Sequence, residues 1–193
     1  MVNDKEVVDT DAVVVEPKTQ TEVNEEKRKQ IEKQIIYYPL SEQLDLAKID
    51  NEIESLDLSQ SRLETIESFE QFVNLKSICF RQNLLKTLKT ENLSAEKGLS
   101  MINELDFYDN QITKIENLNQ LVTLENLDLS FNHFKKIENI ECLVNLKKLF
   151  LVHNQIIKCE NLETLNQLEM LELGDNQLRH IENIDSLKNL KEL

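Results

Sequence analysis

Carboxylates recur at a fixed spacing along this chain, and paired carboxylates are side chains that general acid–base catalysis uses. Asp106 and Asp128 are 22 residues apart, and Glu172 lies two further intervals along the chain. A carboxylate becomes a catalytic acid where a pocket shifts its pKa, and an open, repeating surface supplies no such pocket. The spacing therefore favours a row of surface carboxylates over a catalytic pair, and we predict that the protein is not an enzyme.

Other side chains that could do chemistry do not form a site in the sequence. The chain has three histidines and three cysteines: His133, His153, His180, Cys79, Cys142 and Cys159. The histidines share no constellation with a nucleophile, and the cysteines lack the spacing of a metal or redox motif. We therefore expect no metal and no cofactor. Cys159 replaces an isoleucine in a repeated segment, which favours a core residue over a reactive thiol.

The regularly spaced carboxylates belong to an internal repeat, Leu-x-x-Leu-x-Leu-x-x-Asn. Six complete copies and the start of a seventh begin at Ile53, Leu75, Ile102, Leu124, Leu146, Leu168 and Leu190. The spacing is 22 residues throughout, except for 27 residues between the second and third copies. That longer interval predicts an insertion of five residues within 89–101. A period in this range with this consensus is the pattern of leucine-rich repeats.

Each slot of the repeat has a physical reason. Side chains alternate between the two faces of a short strand, so Leu127 and Leu129 point inward while Asp128 points outward. The Asn slot lies where the chain turns off the strand, and an amide there can satisfy unpaired backbone groups. We predict an α/β solenoid, a leucine-rich-repeat horseshoe. It would have a parallel β-sheet on its concave face and short 3-10 or irregular helical segments on its convex face.

The outward residue between the two core positions of each strand forms one column. In chain order the column consists of Asp57, Cys79, Asp106, Asp128, Phe150 and Glu172. An exposed Phe flanked by carboxylates has no evident folding role, whereas aromatic anchors within a polar rim are typical of protein interfaces. We therefore predict that Asp106, Asp128, Phe150 and Glu172 bind a partner protein.

The chain divides into three regions by composition. Residues 1–28 are acidic and lack a core pattern, which predicts a disordered tail. Residues 29–52 are expected to form an N-terminal helical or cap segment, and 53–193 the repeats, with six complete and a seventh truncated. Solenoids need terminal caps, and LKEL at the end of the chain provides none. We therefore expect a C-terminally truncated product, or the N-terminal part of a longer protein.

The net charge of the chain limits the classes of molecule that it is expected to bind. The net charge is −14, with 36 acidic against 22 basic residues, so phosphate backbones and anionic lipid surfaces are repelled. We expect no nucleic acid and no membrane as partners, and a basic protein surface instead. The N-terminus lacks the basic start and apolar run of a signal peptide. These features indicate an intracellular protein, which we expect to be a monomer before complex formation.

Five segments within about residues 53–193 resemble known proteins: CFRQNLLKTL, ELDFYDNQITKIENL, LDLSFN, NLKKLFLVHNQI and QLEMLELGDNQLRHIENIDSLKNLKEL. They are similar to one intracellular family of short leucine-rich repeats, the regulatory subunits of protein phosphatase 1. The resemblance implies a protein of nucleus and cytoplasm that binds the phosphatase catalytic subunit through its concave face and controls its activity or targeting. By matching motif, it implies that Asp128, Phe150 and Glu172 are contact residues.

The chain departs from this family in its five-residue insertion, its N-terminal tail and the absence of the family's later repeats and cap. An alternative therefore stays open, a structural adaptor of a cytoskeletal, centrosomal or ciliary assembly, where related short repeats are common. A scaffold for an RNA particle is disfavoured, because the acidic surface would repel RNA.

Overall fold

The structure is a computed structural model that describes residues 49–66, 69, 71–88 and 101–193. The predicted tail over 1–28, most of the predicted cap over 29–52 and nearly all of the predicted insertion lie outside the described residues. The chain divides into two units, 1–32 and 33–193, and the fold described below belongs to the second.

Short parallel strands carry the repeats. The described residues form β1 (Ser55–Asp57), β2 (Ser77–Cys79), β3 (Glu104–Asp106), β4 (Asn126–Asp128), β5 (Lys148–Phe150) and β6 (Met170–Glu172). The strands pair in chain order, all in parallel, and each residue lies beside the residue in the same slot of the next repeat. A parallel bridge between Met170 and Glu192 continues this pattern into the seventh repeat. The parallel sheet predicted from the repeat is confirmed.

The core lies behind the sheet and is built from the apolar slots of every repeat. Leu127 at the centre of β4 is fully buried, as is Leu129 just beyond it, while Asp128 between them faces the other side. Phe80 and Phe107 occupy equivalent slots of successive repeats and stack with their ring centroids 5.1 Å apart. Since no single repeat could bury its own apolar side chains, their stacking into one continuous core provides the main stabilisation.

The Asn slot forms a ladder of buried amides, as its position in the repeat predicts. Asn132 is a representative member: its Nδ2 donates to the carbonyl oxygens of Phe107, Leu129 and Ser130 at 3.0–3.2 Å. Its Oδ1 accepts the N–H of Ile112 at 3.0 Å. Each amide thus ties neighbouring repeats together where the strand ladder ends. Equivalent bonds are made by Asn83, Asn110, Asn154 and Asn176.

Within the described residues the convex side carries turns, and the short 3-10 or irregular helical segments that we expected there are not confirmed. The N–H of Leu121 bonds to the carbonyl oxygen of Leu118, and the N–H of Leu124 to that of Leu121, both at 3.0 Å. Each bond spans three residues and closes a single turn, and the second turn starts where the first one ends. A helix would need overlapping turns, with a bond from each successive residue. All three leucines are buried, so each turn brings one apolar side chain into the core. The described residues contain no helix that is long and apolar enough to cross a membrane.

A second ladder of asparagines, which the repeat pattern did not lead us to predict, holds this side together. Asn139 and Asn161 adopt positive φ angles of 59° and 62°, a left-handed conformation that Asn tolerates better than most residues. Their Nδ2 atoms donate to the carbonyl oxygens of Ile115 and Ile137 in the preceding repeat, each at 2.7 Å. The recurring Asn of the Ile-Glu-Asn-Leu segment is therefore a structural residue, in the way that the Asn of the strand motif is.

Candidate protein-binding face

The sheet presents one face to solvent, and its main feature is the central column, defined as Asp57, Cys79, Asp106, Asp128, Phe150 and Glu172. The strand register pairs Asp106 with Asp128, Asp128 with Phe150, and Phe150 with Glu172. Neighbouring strands in a sheet lie about 4.8 Å apart, so the four predicted site residues form one row on adjacent strands. The structure therefore brings all four together, and their role in binding stays a prediction.

Three carboxylates of the central column also have a local structural role. Asp57, Asp106 and Asp128 each accept the backbone N–H of the residue two positions later, at 2.8–2.9 Å. These short loops hold the chain as it leaves the strand, which is a recurring use of Asp side chains in turns. Phe150 and Glu172 make no such bond within the described residues. The side chains of Phe150 and Glu172 therefore have the least evident structural role in the row.

Asp106 is a partly buried carboxylate of the predicted site, with a side chain that is 20% exposed. Burial raises its pKa above the usual value, the N–H bond from Tyr108 lowers it, and the nearby charge of Asp128 raises it further. Arg81 opposes the shift, because its Nη1 donates to Asp106 Oδ2 at 2.8 Å. The net result is a raised pKa, so the ionised form of this carboxylate is disfavoured by its surroundings despite the ion pair.

A row of aromatic rings runs beside the central column; we call Tyr108, Phe131 and His153 the aromatic row. The guanidinium carbon of Arg81 lies 4.0 Å from the centre of the Tyr108 ring, in cation–π geometry. The Tyr108 and Phe131 ring centroids are 4.7 Å apart, and those of Phe131 and His153 are 4.5 Å apart. His153 Nδ1 contacts Asp175 Oδ2 at the far end. Single side chains from five consecutive repeats thus form one continuous stack.

The backbone explains why the row forms. Residues just before the Asn slot have positive φ angles in every described repeat, including 56° at Phe131, 54° at His153 and 52° at Asp175. This turn projects the side chain along the edge of the sheet, where it meets its counterpart from the next repeat. The central column predicted from the sequence did not include these residues. Phe131 and His153 are 22 residues apart in the same slot, which was the signal for their contact, whereas Tyr108 lies one slot earlier in its repeat.

The cysteine of the central column is not an activated nucleophile. Burial raises the pKa of the Cys79 thiol to about 11, although its contact with Ser59 Oγ at 3.2 Å acts in the opposite direction. The thiol is therefore protonated at neutral pH, and the thiolate is the reactive form. Burial also raises the pKa values of Cys142 and Cys159. Cys159 is fully buried, so its predicted place in the core is confirmed.

Two lysines that lie close to the sheet, Lys147 and Lys191, are paired with glutamates of the preceding repeat. Lys147 bonds to Glu125 at 2.8 Å, and Lys191 bonds to Glu169 at 2.7 Å, each across neighbouring repeats. This pairing leaves carboxylates dominant along the central column, where Asp128 and Glu172 flank Phe150. Within the described part of the chain, no group of three His, Cys, Asp or Glu side chains could hold a metal ion. The arrangement is suited to contact with a positively charged protein surface.

The parallel strands in chain order, the leucine core and the asparagine ladder together define a leucine-rich-repeat solenoid with an acidic and aromatic sheet face. The chain is similar to protein phosphatase 1 regulatory subunit SDS22 of Schizosaccharomyces pombe, with 40% identity over 81 residues. It is also similar to the subunit of the same name from Saccharomyces cerevisiae, with 37% identity over 80 residues. The resemblance inferred from the sequence is thus confirmed over those residues.

The match is partial in both directions. It covers 41% and 39% of this chain, respectively, and the chain spans about a fifth of each relative, 22% in both cases. No protein-family model matches the chain.

Three solved structures of bacterial proteins have the same fold. A leucine-rich-repeat protein of Leptospira interrogans superposes with a TM-score of 0.60 at 28% identity, covering 74% of this chain and 34% of its own. Internalin C2 of Listeria monocytogenes gives 0.58 at 28% identity, covering 73% and 70%. An internalin from the same organism gives 0.61 at 22% identity, covering 72% and 47%. These likenesses confirm the predicted leucine-rich-repeat fold.

Proposed function

We propose that this chain is a non-catalytic regulatory subunit that binds the catalytic subunit of protein phosphatase 1 and controls its activity or targeting. The observation that carries the proposal is the similarity to two proteins named as phosphatase regulatory subunits. The binding surface in this proposal is the open sheet face, with Asp106, Asp128, Phe150 and Glu172 as contact residues. In keeping with the resemblance, the chain is a monomer before it binds and acts in the nucleus and cytoplasm.

The physical support for this surface comes from its rigidity and composition. Phe150 lies at the end of β5 between Asp128 and Glu172 on the adjacent strands, so backbone pairing fixes the spacing of the row. A surface that is already ordered loses little conformational entropy when it binds. A half-buried aromatic ring flanked by two carboxylates offers an apolar anchor with acidic neighbours. A basic surface on the phosphatase with an apolar centre would match it.

A regulatory role without catalysis agrees with the chemistry of the same face. The Cys79 thiol is held in its protonated form, and the carboxylates of Asp57, Asp106 and Asp128 bond to their own backbone. Such a face can bind and orient a partner. In this proposal it alters the phosphatase through contact alone.

The test is a binding assay with purified protein phosphatase 1 catalytic subunit passed over the immobilised chain. Phe150→Ala and Glu172→Lys should each weaken binding about tenfold or more, as expected for central interface residues. Ile157→Ala and Glu163→Lys are matched controls, because they make the same kind of change at exposed positions outside the central column. The controls should change affinity less than about twofold, and circular dichroism should be unaltered in all four variants.

Two results would contradict the proposal. A folded wild-type chain that does not retain the phosphatase would remove the partner and favour the cytoskeletal adaptor. Alternatively, Phe150→Ala, Glu172→Lys and the two controls could all bind the phosphatase with equal affinity. That result would support the phosphatase as the partner but would exclude the central column as its binding site.

A further inference from the structure

A pocket of about 340 Å³ opens at the edge of the sheet, where the chain turns off β3, β4 and β5. Its walls include the rings of Phe131, His133 and His153 together with the side chains of Asp109 and Gln155. The buried amides of the asparagine ladder form the remaining wall. We call this feature the rim pocket; it lies beside the aromatic row, and none of its lining residues belongs to the central column.

Asp109 gives the rim pocket its charge. The side chain is exposed, and its hydrogen bond in the described structure is a long contact of 3.4 Å from Gln82 Nε2. A carboxylate with so little engagement keeps most of its accepting capacity for a ligand. Phe131 and His153 beside it are held in place by stacking on each other, so the aromatic wall is already ordered.

The chain itself shows which ligand suits a carboxylate beside aromatic rings. At the other end of the aromatic row, Arg81 places its guanidinium 4.0 Å from the centre of the Tyr108 ring and bonds to Asp106 at 2.8 Å. A guanidinium suits such a place because it is planar, can pair with a carboxylate through two parallel N–H bonds, and stacks on aromatic surfaces. A lysine ammonium carries the same charge but lacks the plane.

We propose that the rim pocket receives an arginine side chain from a basic segment of a protein partner. The guanidinium pairs with the carboxylate of Asp109 and packs against the edges of the Phe131 and His153 rings, because the faces of the Phe131 ring are covered by Tyr108 and His153. The net charge of −14 attracts a basic segment, and the same charge repels nucleic acid. This site goes beyond the proposed function, since it involves other residues and does not depend on the identity of the partner on the central column.

The test uses the full chain and two peptides, hexa-arginine and hexa-lysine, in isothermal titration calorimetry at physiological salt. The peptides carry equal charge, so general attraction to an acidic protein contributes to both, and the difference between them reports recognition of the guanidinium. Wild type should bind hexa-arginine about three- to fivefold more tightly, the gain expected for a partly exposed charged pair with ring contact. Asp109→Asn should remove this preference. Asn is nearly isosteric and tolerates the positive φ of 56° at this position.

Asp185→Asn is the matched control, because it removes one exposed negative charge outside the rim pocket. It should leave the preference for arginine unchanged. Phe131→Leu keeps apolar volume but removes the flat ring, and it should also reduce the preference. Equal binding of the two peptides to wild type would overturn the proposal. So would a preference for arginine that survives both Asp109→Asn and Phe131→Leu, or one that Asp185→Asn removes as fully as Asp109→Asn. No phosphatase is present in this assay, so failure here leaves the proposed function untouched.

Discussion

The ring of Phe131 stacks on the imidazole of His153, with the centroids 4.5 Å apart and the planes inclined by 18°. Both residues occupy the same slot of consecutive repeats, and both have positive φ angles. A left-handed backbone is costly for bulky residues, by about 1–2 kcal/mol each. Stacking along the row offsets part of that cost, so the geometry of the turn and the contact between repeats support each other.

Substitutions of Phe131 separate the stabilisation by ring stacking from the cost of the left-handed backbone. Phe131→Ala removes the contacts with both Tyr108 and His153, and should lower the free energy of unfolding by about 1–2 kcal/mol. Phe131→Asn removes the same contacts but suits the left-handed turn better, so its loss should be smaller. Urea unfolding followed by circular dichroism measures both. An alanine variant as stable as wild type would show that the stack contributes nothing to stability.

Loss of the buried Asn132 amide should lower the free energy of unfolding more than loss of the Phe131 ring. Asn132→Ala leaves the N–H of Ile112 and up to three carbonyl groups without this partner inside the protein. Leaving buried polar groups unsatisfied costs about 1–3 kcal/mol each, so we expect a loss of about 3 kcal/mol or more. Urea unfolding should detect the loss, and faster hydrogen exchange at the Ile112 amide should locate it. Asn119→Ala, at an exposed position, is the control and should be nearly neutral. Similar losses for the two variants would count against the ladder.

Much of this fold could be predicted from the sequence, because local physical requirements determine which type of residue occupies each slot of the repeat. Alternation along a short strand places Leu127 inside and Asp128 outside, and the turn after the strand requires an amide at Asn132. In-register parallel pairing then places Phe150 between Asp128 and Glu172 without further information. The row of candidate contact residues could therefore be predicted from the repeat pattern alone.

Contacts that join different slots could not be predicted in the same way. Tyr108 and Phe131 occupy neighbouring slots in consecutive repeats, so their meeting depends on the projection of the turn and not on periodicity alone. The convex side was expected to carry helical segments, but its three-residue spacing of buried leucines favours separate turns. The repeat pattern also does not show that the amide of Asn139 reaches the carbonyl oxygen of Ile115 in the preceding repeat, because this contact depends on the left-handed turn at Asn139.

The raised pKa of Cys79 leads to a prediction about reactivity. With a pKa of about 11 in place of the usual 9.0, the fraction of thiolate at pH 8 is roughly a hundredfold smaller in the folded chain. Iodoacetamide labelling, resolved by peptide mass spectrometry, should therefore be at least tens of times slower at Cys79 in the native chain than in urea. Because the folded pKa is the higher one, the associated stability is fully present below pH 9 and is lost as pH rises towards 11. Equal labelling rates in the two states would contradict this.

Asp106 offers the sharpest link between stability and binding. Burial raises its pKa more than Arg81 and the Tyr108 N–H lower it, so its stability contribution is present at acid pH and lost as pH rises through the folded pKa. Asp106→Asn can keep the bond from the Tyr108 N–H and removes the charge. The variant should therefore match or exceed wild-type stability at pH 7, by up to about 1 kcal/mol, and lose this advantage near pH 3.

Urea unfolding at the two pH values measures this change, with Asp185→Asn as the control for net charge. Greater destabilisation by Asp106→Asn at pH 7 than at pH 3 would show that the ion pair with Arg81 outweighs burial.

A role in binding would explain why a carboxylate that lowers stability at neutral pH occupies this position in the central column. Asp106→Asn should therefore weaken binding of the phosphatase catalytic subunit about threefold or more while leaving the fold intact, because an acidic contact to a basic surface loses its charge.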